Sequence, residues 1–153
     1  MKLIYHCFGG THSSVLCAAL HLGMIPDQQL PGYWDLIKLP YFDKVTSTDV
    51  GNIFHMGRDE QENEVYILGC RNCGPMVEKT TREMNRLLGI AQDEVVMVNT
   101  TSSLNITIKI GGYLSRRLGL TGIGRILLCR GIRRAFPNFI KLVHSVKQDL
   151  VHK

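Results

Sequence analysis

Leu3-Ile4-Tyr5-His6-Cys7-Phe8-Gly9-Gly10-Thr11-His12-Ser13-Ser14 is the stretch whose reading decides the fold. Residues 2–8 are β-forming and mostly apolar on both faces, as in a central parallel strand. Gly9 and Gly10 then turn the chain. Residues 14–24 read as a helix: Val15, Leu16, Ala19, Leu20 and Leu22 cover one broad side, Ser13 or Ser14 can cap it, and Gly23 and Pro26 end it. Strand, glycine turn and helix start together form an anion-binding device. The glycines let backbone N–H groups approach a ligand, and the helix start adds unpaired donors and a partial positive charge.

Outward from this stretch, strand-like and helix-like segments alternate. Residues 26–51 are broken by Pro26, Pro31, Gly32 and Pro40, yet Tyr33, Trp34, Leu36, Ile37, Leu39, Tyr41 and Phe42 make them too apolar for a disordered linker. They read as a packed excursion with one short helix near Trp34–Leu39. Ile53–Gly57 and Glu64–Gly69 flank a wholly polar turn and read as a hairpin. Pro75–Leu88 is an amphipathic helix with Met76, Val77, Met84, Leu87 and Leu88 near one stripe, and Glu94–Val98 is a second core strand. The stretch 104–118 fits helix or strand; the caps at its ends favour helix. Arg125–Cys129 is consistent with a last buried strand, with helix as the alternative, and Ala135–Leu150 reads as a terminal helix with Pro137 in its first turn.

This order predicts one α/β domain over 1–153: three layers, a mostly parallel sheet, a hairpin at one edge, P-loop-like or Rossmann-like. In such sheets ligands bind beyond the carboxyl ends of the strands. That rule gathers His6–Ser14, Gly69–Cys73, Asn99–Ser103 and Arg130–Arg134 into one neighbourhood. The ligand-binding candidates are Gly9, Gly10, Thr11, His12, Ser13, Ser14, Asn99, Thr100, Arg130 and Arg133, with Cys7 and His12 as catalytic candidates and no metal ligands or cofactor.

Charge divides the chain. Residues 1–103 hold 8 Lys/Arg against 12 Asp/Glu, while residues 104–153 hold 10 against 1. The basic third favours a phosphate-bearing or acidic partner, or is a solvated face. No aromatic residues interleave Arg125, Arg130, Arg133 and Arg134, so nucleic-acid binding is expected to be at most weak and non-specific. The five cysteines, with no export signal before them and no apolar run near the roughly 20 residues of a membrane span, read as free thiols in a cytoplasmic protein with no membrane partner.

A nucleotide P-loop needs a glycine, four residues, then Gly-Lys-Ser/Thr. With Ser13 as the hydroxyl, His6, Thr11 and His12 occupy the three other key positions, which argues against a conventional ATPase or GTPase and leaves a degenerate phosphate binder. Cys7 ends strand one before backbone donors and near His6 and His12, where a nucleophilic thiolate is favoured. The layout is similar to the cysteine loops of low-molecular-weight phosphatases and sugar-phosphotransferase B subunits. The phosphatase pattern has an arginine where Ser13 stands, so phosphatase action requires an arginine from elsewhere; the plain alternative for Cys7 is a buried structural cysteine. Cys70-Arg71-Asn72-Cys73-Gly74-Pro75 is a single C-x-x-C at a strand–helix junction, with Gly69 where thioredoxins carry tryptophan. Thiol-redox use, or zinc binding with a ligand such as His55, is the alternative it supports; incidental thiols are the plainer one. Cys17 and Cys129 read as core, and His21 and His144 as ordinary surface or packing residues.

Tyr5-His6-Cys7-Phe8-Gly9-Gly10-Thr11-His12-Ser13-Ser14, then Ala18-Ala19, His21-Leu22-Gly23, Val65-Tyr66-Ile67-Leu68-Gly69 and Gly131-Ile132-Arg133 with Ala135 and Phe136, resembles a family of short proteins from clostridia and related spore-forming bacteria. That family is described only as a domain of unknown function. The resemblance covers most of the chain and implies no activity, and the Cys70/Cys73 pair is not one of its hallmarks. Taken together, the residues point to a protein that binds a phosphate-bearing small molecule at Gly9–Ser14. Phosphoryl transfer is one use of such a site. A regulatory or interaction module using the basic third is the other main alternative.

Overall fold

A computed structural model describes residues 1–101 and 121–151. Four strands form one sheet in the order β2-β3-β1-β4: β1 (Lys2–Cys7), β2 (Ile53–Arg58), β3 (Glu64–Gly69) and β4 (Val95–Asn99). The central strand β1 runs parallel to β3, from Lys2↔Glu64 to Cys7↔Gly69, and parallel to β4, from Lys2↔Val95 to His6↔Asn99. The edge strand β2 is antiparallel to β3, with a register shift between His55 and Gly57. The chain is thus an α/β protein with a mixed, mostly parallel open sheet and an edge hairpin.

Alternation along β1 assigns the two faces. Leu3 and Tyr5 enter the larger core with Val65, Ile67 and Val98, against α1 (Ser13–His21) and α4 (Thr121–Val151). Ile4 joins Leu68 and Cys70 on the opposite face, where Val77 of α3 (Gly74–Leu87) packs. Every residue of α1 is buried, which fits its small and apolar composition between sheet and α4. The excursion is packed: α2 (Tyr33–Lys38) sends Leu36 into the larger core, and Leu39 and Phe42 follow.

A buried polar chain closes the end of α1. Tyr5 Oη lies 2.9 Å from His21 Nδ1, and His21 Nε2 lies 3.0 Å from Asp59 Oδ2. Asp59 also accepts the N–H groups of Gln61 and Asn63 and the Asn63 amide, so it organises the hairpin turn and ties it to α1. This use of His21 as the centre of a three-residue chain is invisible in a helix-period pattern.

Three expectations are corrected. Arg125–Cys129 is not a strand, because it lies within α4. A short apolar run has no period of its own to separate a strand from a buried helix. Pro137 does not sit in a first turn; it lies inside the 31-residue α4. The helix continues through it because Ile132, Ala135, Phe136, Phe139 and Val143 bury a continuous stripe on both sides. Ser13 and Ser14 do not cap α1, because both lie inside it and the N-cap is His12, without a side-chain cap hydrogen bond. On α3, Val77 packs on the sheet side and Gly74 and Asn85 are buried, while Met76, Met84, Leu87 and Leu88 are exposed. The stretch 104–118, and Ser102 and Ser103 of the β4 exit, lie outside the described residues.

Candidate functional site

The exits of β1, β3 and β4 converge. Cys70 N–H donates to Cys7 O at 2.8 Å, Arg71 N–H to Phe8 O at 2.8 Å, and Thr100 N–H to His6 O at 2.9 Å. The glycines are explained by this convergence. Gly10 has φ +66, and a Cβ there would lie 2.6 Å from Gly69 N; one on Gly69 would lie 2.9 Å from Gly9 C. Only glycine permits two backbones to pass this closely with one in the left-handed region. A Cβ on Gly9 would meet only Thr11 Cγ2, at 3.7 Å.

Inside the turn, Cys7 Sγ accepts Gly10 N–H at 3.1 Å and lies 3.3 Å from Ser14 Oγ. Ser13 Oγ lies 2.9 Å from Thr100 Oγ1, which is 3.0 Å from His6 O; having one hydroxyl proton, Thr100 donates it to the His6 carbonyl and accepts from the Ser13 hydroxyl. His12 occupies the N-cap position of α1 without a side-chain cap hydrogen bond, and the first N–H groups of any helix lack intrahelical partners. Cys7, Ser13 and Ser14 are buried, so the polar lining lies at the base of the loop.

The excursion is stitched to the same loop. Thr11 Oγ1 donates to Tyr41 O at 3.0 Å, Asp43 N–H donates to Thr11 O at 3.2 Å, and His12 Nε2 lies 3.2 Å from Asp43 Oδ1. Both His12 and Asp43 are about nine-tenths buried, and Phe42 packs its ring edge on the imidazole at 5.4 Å. Tyr41, Asp43 and Arg71 have φ of 61, 55 and 48, left-handed conformations that non-glycine residues rarely hold. All three make backbone hydrogen bonds to the Phe8–His12 loop. Strained backbone of this kind persists where surrounding structure enforces it, and it clusters at functional sites.

On the opposite face, His6 is buried with its ring against Gly74, where a Cβ would stand 3.3 Å from Cε1. Glu78 Oε1 approaches His6 Nε2 to 2.7 Å without hydrogen-bond geometry. Burial holds the His6 imidazole below its ordinary pKa, and Glu78 partly offsets this. Cys70 is buried and its thiol is pushed up to about 11, chiefly by burial, whereas Cys73 is exposed; both are free. Zinc would need several ligands together, and among the described residues no three His, Cys, Asp or Glu side chains converge. His55 instead lies against the Tyr66 ring, with centroids 5.0 Å apart and planes tilted by 58°.

Of the sequence-derived candidates, Cys7, Gly9, Gly10, Thr11, His12, Ser13, Ser14 and Thr100 come together. Asn99 ends β4, its side-chain oxygen accepting Thr101 N–H at 2.9 Å. Arg130–Arg134 is not a fourth strand exit, because that segment lies within α4, where Arg130 and Arg133 are exposed. Sequence reasoning missed Asp43, Arg71 and Glu78. Asp43 lies in an aperiodic excursion, and Arg71 was gathered with the Gly69–Cys73 exit but not singled out.

These features define the class: an α/β protein whose mostly parallel sheet opens into a loop holding a hydrogen-bonded thiol at a helix N-terminus. The chain belongs to the family described as "Protein of unknown function (DUF3189)", whose model matches residues 2–148. No curated protein and no solved structure matches the chain. Among the described residues, no helix is long and apolar enough to cross a membrane.

Proposed function

We propose that the chain binds a phosphate-bearing small molecule in the Cys7–Ser14 loop and uses Cys7 as the nucleophile of phosphoryl transfer. The observation that carries this reading is the setting of the thiol, with Gly10 N–H and Ser14 Oγ both within hydrogen-bond reach of Sγ. Each can donate to a thiolate, and the start of α1 adds its positive end. In the transfer, the sulfur lone pair forms the S–P bond as the P–O bond to the leaving group breaks. His12, held by Asp43, supplies the proton to the departing oxygen. The P-loop-like kinship belongs to this proposal and rests on the order strand, glycine loop, helix.

An arginine is still required, because Ser13 stands where cysteine phosphatase loops have one. Arg71 is suited to that role, since its own N–H is bonded to Phe8 O and its exposed guanidinium donates to the Ser47 carbonyl at 3.2 Å. Arg130 and Arg133 on α4 are the alternatives. Cytoplasmic placement, with a phosphorylated metabolite as ligand, completes the proposal. Thermal denaturation with phosphate, sulfate and orthovanadate tests it. Stabilisation of the wild type that is lost in Cys7→Ala and reduced roughly tenfold in apparent affinity in Arg71→Ala supports it. Absence of stabilisation by all three anions overturns it.

A further inference from the structure

The turn that follows β3 sets two thiols on either side of Arg71. Cys73 N–H donates to Cys70 O at 2.9 Å. A turn closed by this hydrogen bond brings its first and fourth Cα atoms within about 7 Å, and a disulfide spans Cα atoms roughly 4.4–6.8 Å apart. Both thiols are free, and their settings differ. Cys73 is exposed and takes the N-cap position of the 14-residue α3, where the helix start favours a thiolate. Its side chain makes no cap hydrogen bond. Cys70 is 5% exposed and packs with Ile4 and Leu68. Burial first, then the nearby Cys7, Glu78 and Cys73 groups, raise its pKa and keep it protonated. One thiol is placed to meet a reagent, and the other to meet its neighbour.

We infer that Cys70 and Cys73 form a reversible disulfide site for low-molecular-weight disulfides, and that its oxidation state sets the shape of the Phe8–His12 loop. The Cys73 thiolate attacks one sulfur of a disulfide such as oxidised glutathione, whose S–S bond breaks to release one glutathione thiolate. Cys70 then gives up its proton and attacks Cys73 Sγ, and the second glutathione leaves as thiolate. Two protein thiols are oxidised to one disulfide while one glutathione disulfide is reduced to two thiols. Arg71 lies inside the ring that this closes. It holds a left-handed φ of 48, and its N–H is bonded to Phe8 O at 2.8 Å. From the same turn, Cys70 N–H holds Cys7 O at 2.8 Å. Bringing the sulfurs to the roughly 2.05 Å of a bond requires the turn to tighten, so the Arg71 contact to the loop changes. For anion binding the consequence rests on the oxyanion reading of that loop: oxidation withdraws Arg71 and weakens the ligand.

Equilibration of the full chain with graded ratios of reduced to oxidised glutathione, then acid quench and peptide mass spectrometry, tests this. The wild type should form an intrachain Cys70–Cys73 disulfide. Cys70→Ser should instead retain glutathione on Cys73, and Cys73→Ser should take up none in this turn. Hydrogen exchange over residues 8–14 should speed several-fold in the oxidised wild type and stay unchanged in Cys73→Ser. Phosphate, followed by thermal shift, should bind the oxidised form roughly tenfold more weakly, the loss expected of one charge-assisted hydrogen bond. Cys73→Ser should bind it alike in both buffers. Absence of the intrachain disulfide at every ratio, a disulfide that leaves exchange over residues 8–14 unchanged, or phosphate bound equally tightly by both forms would each overturn the inference. A disulfide with faster exchange, but no phosphate effect on the reduced protein, would support it and overturn the oxyanion reading alone.

Discussion

At the scale of single residues, Gly9 and Gly10 look interchangeable in the sequence, yet the structure separates them. Gly10 has a positive φ and touches the backbone of Gly69, whereas Gly9 has open space around it. Gly10→Ala should destabilise the fold by about 2–4 kcal/mol, combining the left-handed penalty with a backbone clash. Gly9→Ala should be neutral or stabilising by up to about 1 kcal/mol. Urea denaturation of the two variants checks the pair, and equal losses would contradict the account of the turn.

Asp59 and His21 make a second residue-scale test. Burial pushes the Asp59 carboxyl up, but hydrogen bonds from Asn63, His21 and Gln61 more than offset it and leave the group below its ordinary value. Its contribution to stability is present above the unfolded carboxylate pKa and is lost as pH falls through the folded one. Burial, helped by nearby Lys147 and opposed by Asp59, lowers the His21 pKa. The folded state therefore prefers neutral His21, and stability declines as pH drops below about 6.5, the unfolded value. His6 acts in the same direction. The melting temperature should fall between pH 7.5 and 5, and His21→Gln should flatten part of that slope. Parallel wild-type and variant curves would show that His21 does not titrate as described.

At the scale of elements, most of the fold was legible. β1, the hairpin and β4 were readable because a period of two, or a doubly apolar run between turn residues, has few other interpretations. α1 was readable from its apolar run and the Gly23 stop, although its N-cap is His12 and not Ser13 or Ser14. α4 was misjudged because Pro137 resembles a helix start, and only the buried stripe of Ile132 to Val146 on both sides shows why the helix passes through it. α3 was found in place. A hydrophobic stripe states that a surface wants cover; it does not state whether the sheet or another molecule provides it.

At the scale of the whole molecule, convergence of the strand exits was deducible from the parallel order alone. It placed Cys7, His12, Ser13, Ser14 and Thr100 in one neighbourhood, and their hydrogen bonds realise it. The same rule gathered Arg71 with the β3 exit without singling it out, and it could not find Asp43, which carries no motif and reaches the loop from the excursion only through tertiary folding. The central claim is that this neighbourhood holds a nucleophilic thiol for an oxyanion ligand. The most direct test is the alkylation rate of Cys7 by iodoacetamide, resolved from exposed Cys73 by peptide mass spectrometry. The account predicts that Cys7 in the folded protein is alkylated, that phosphate slows this, and that Ser14→Ala slows it roughly tenfold by removing one donor to sulfur. A Cys7 that reacts only on unfolding, or at a rate indifferent to both phosphate and Ser14, would contradict it.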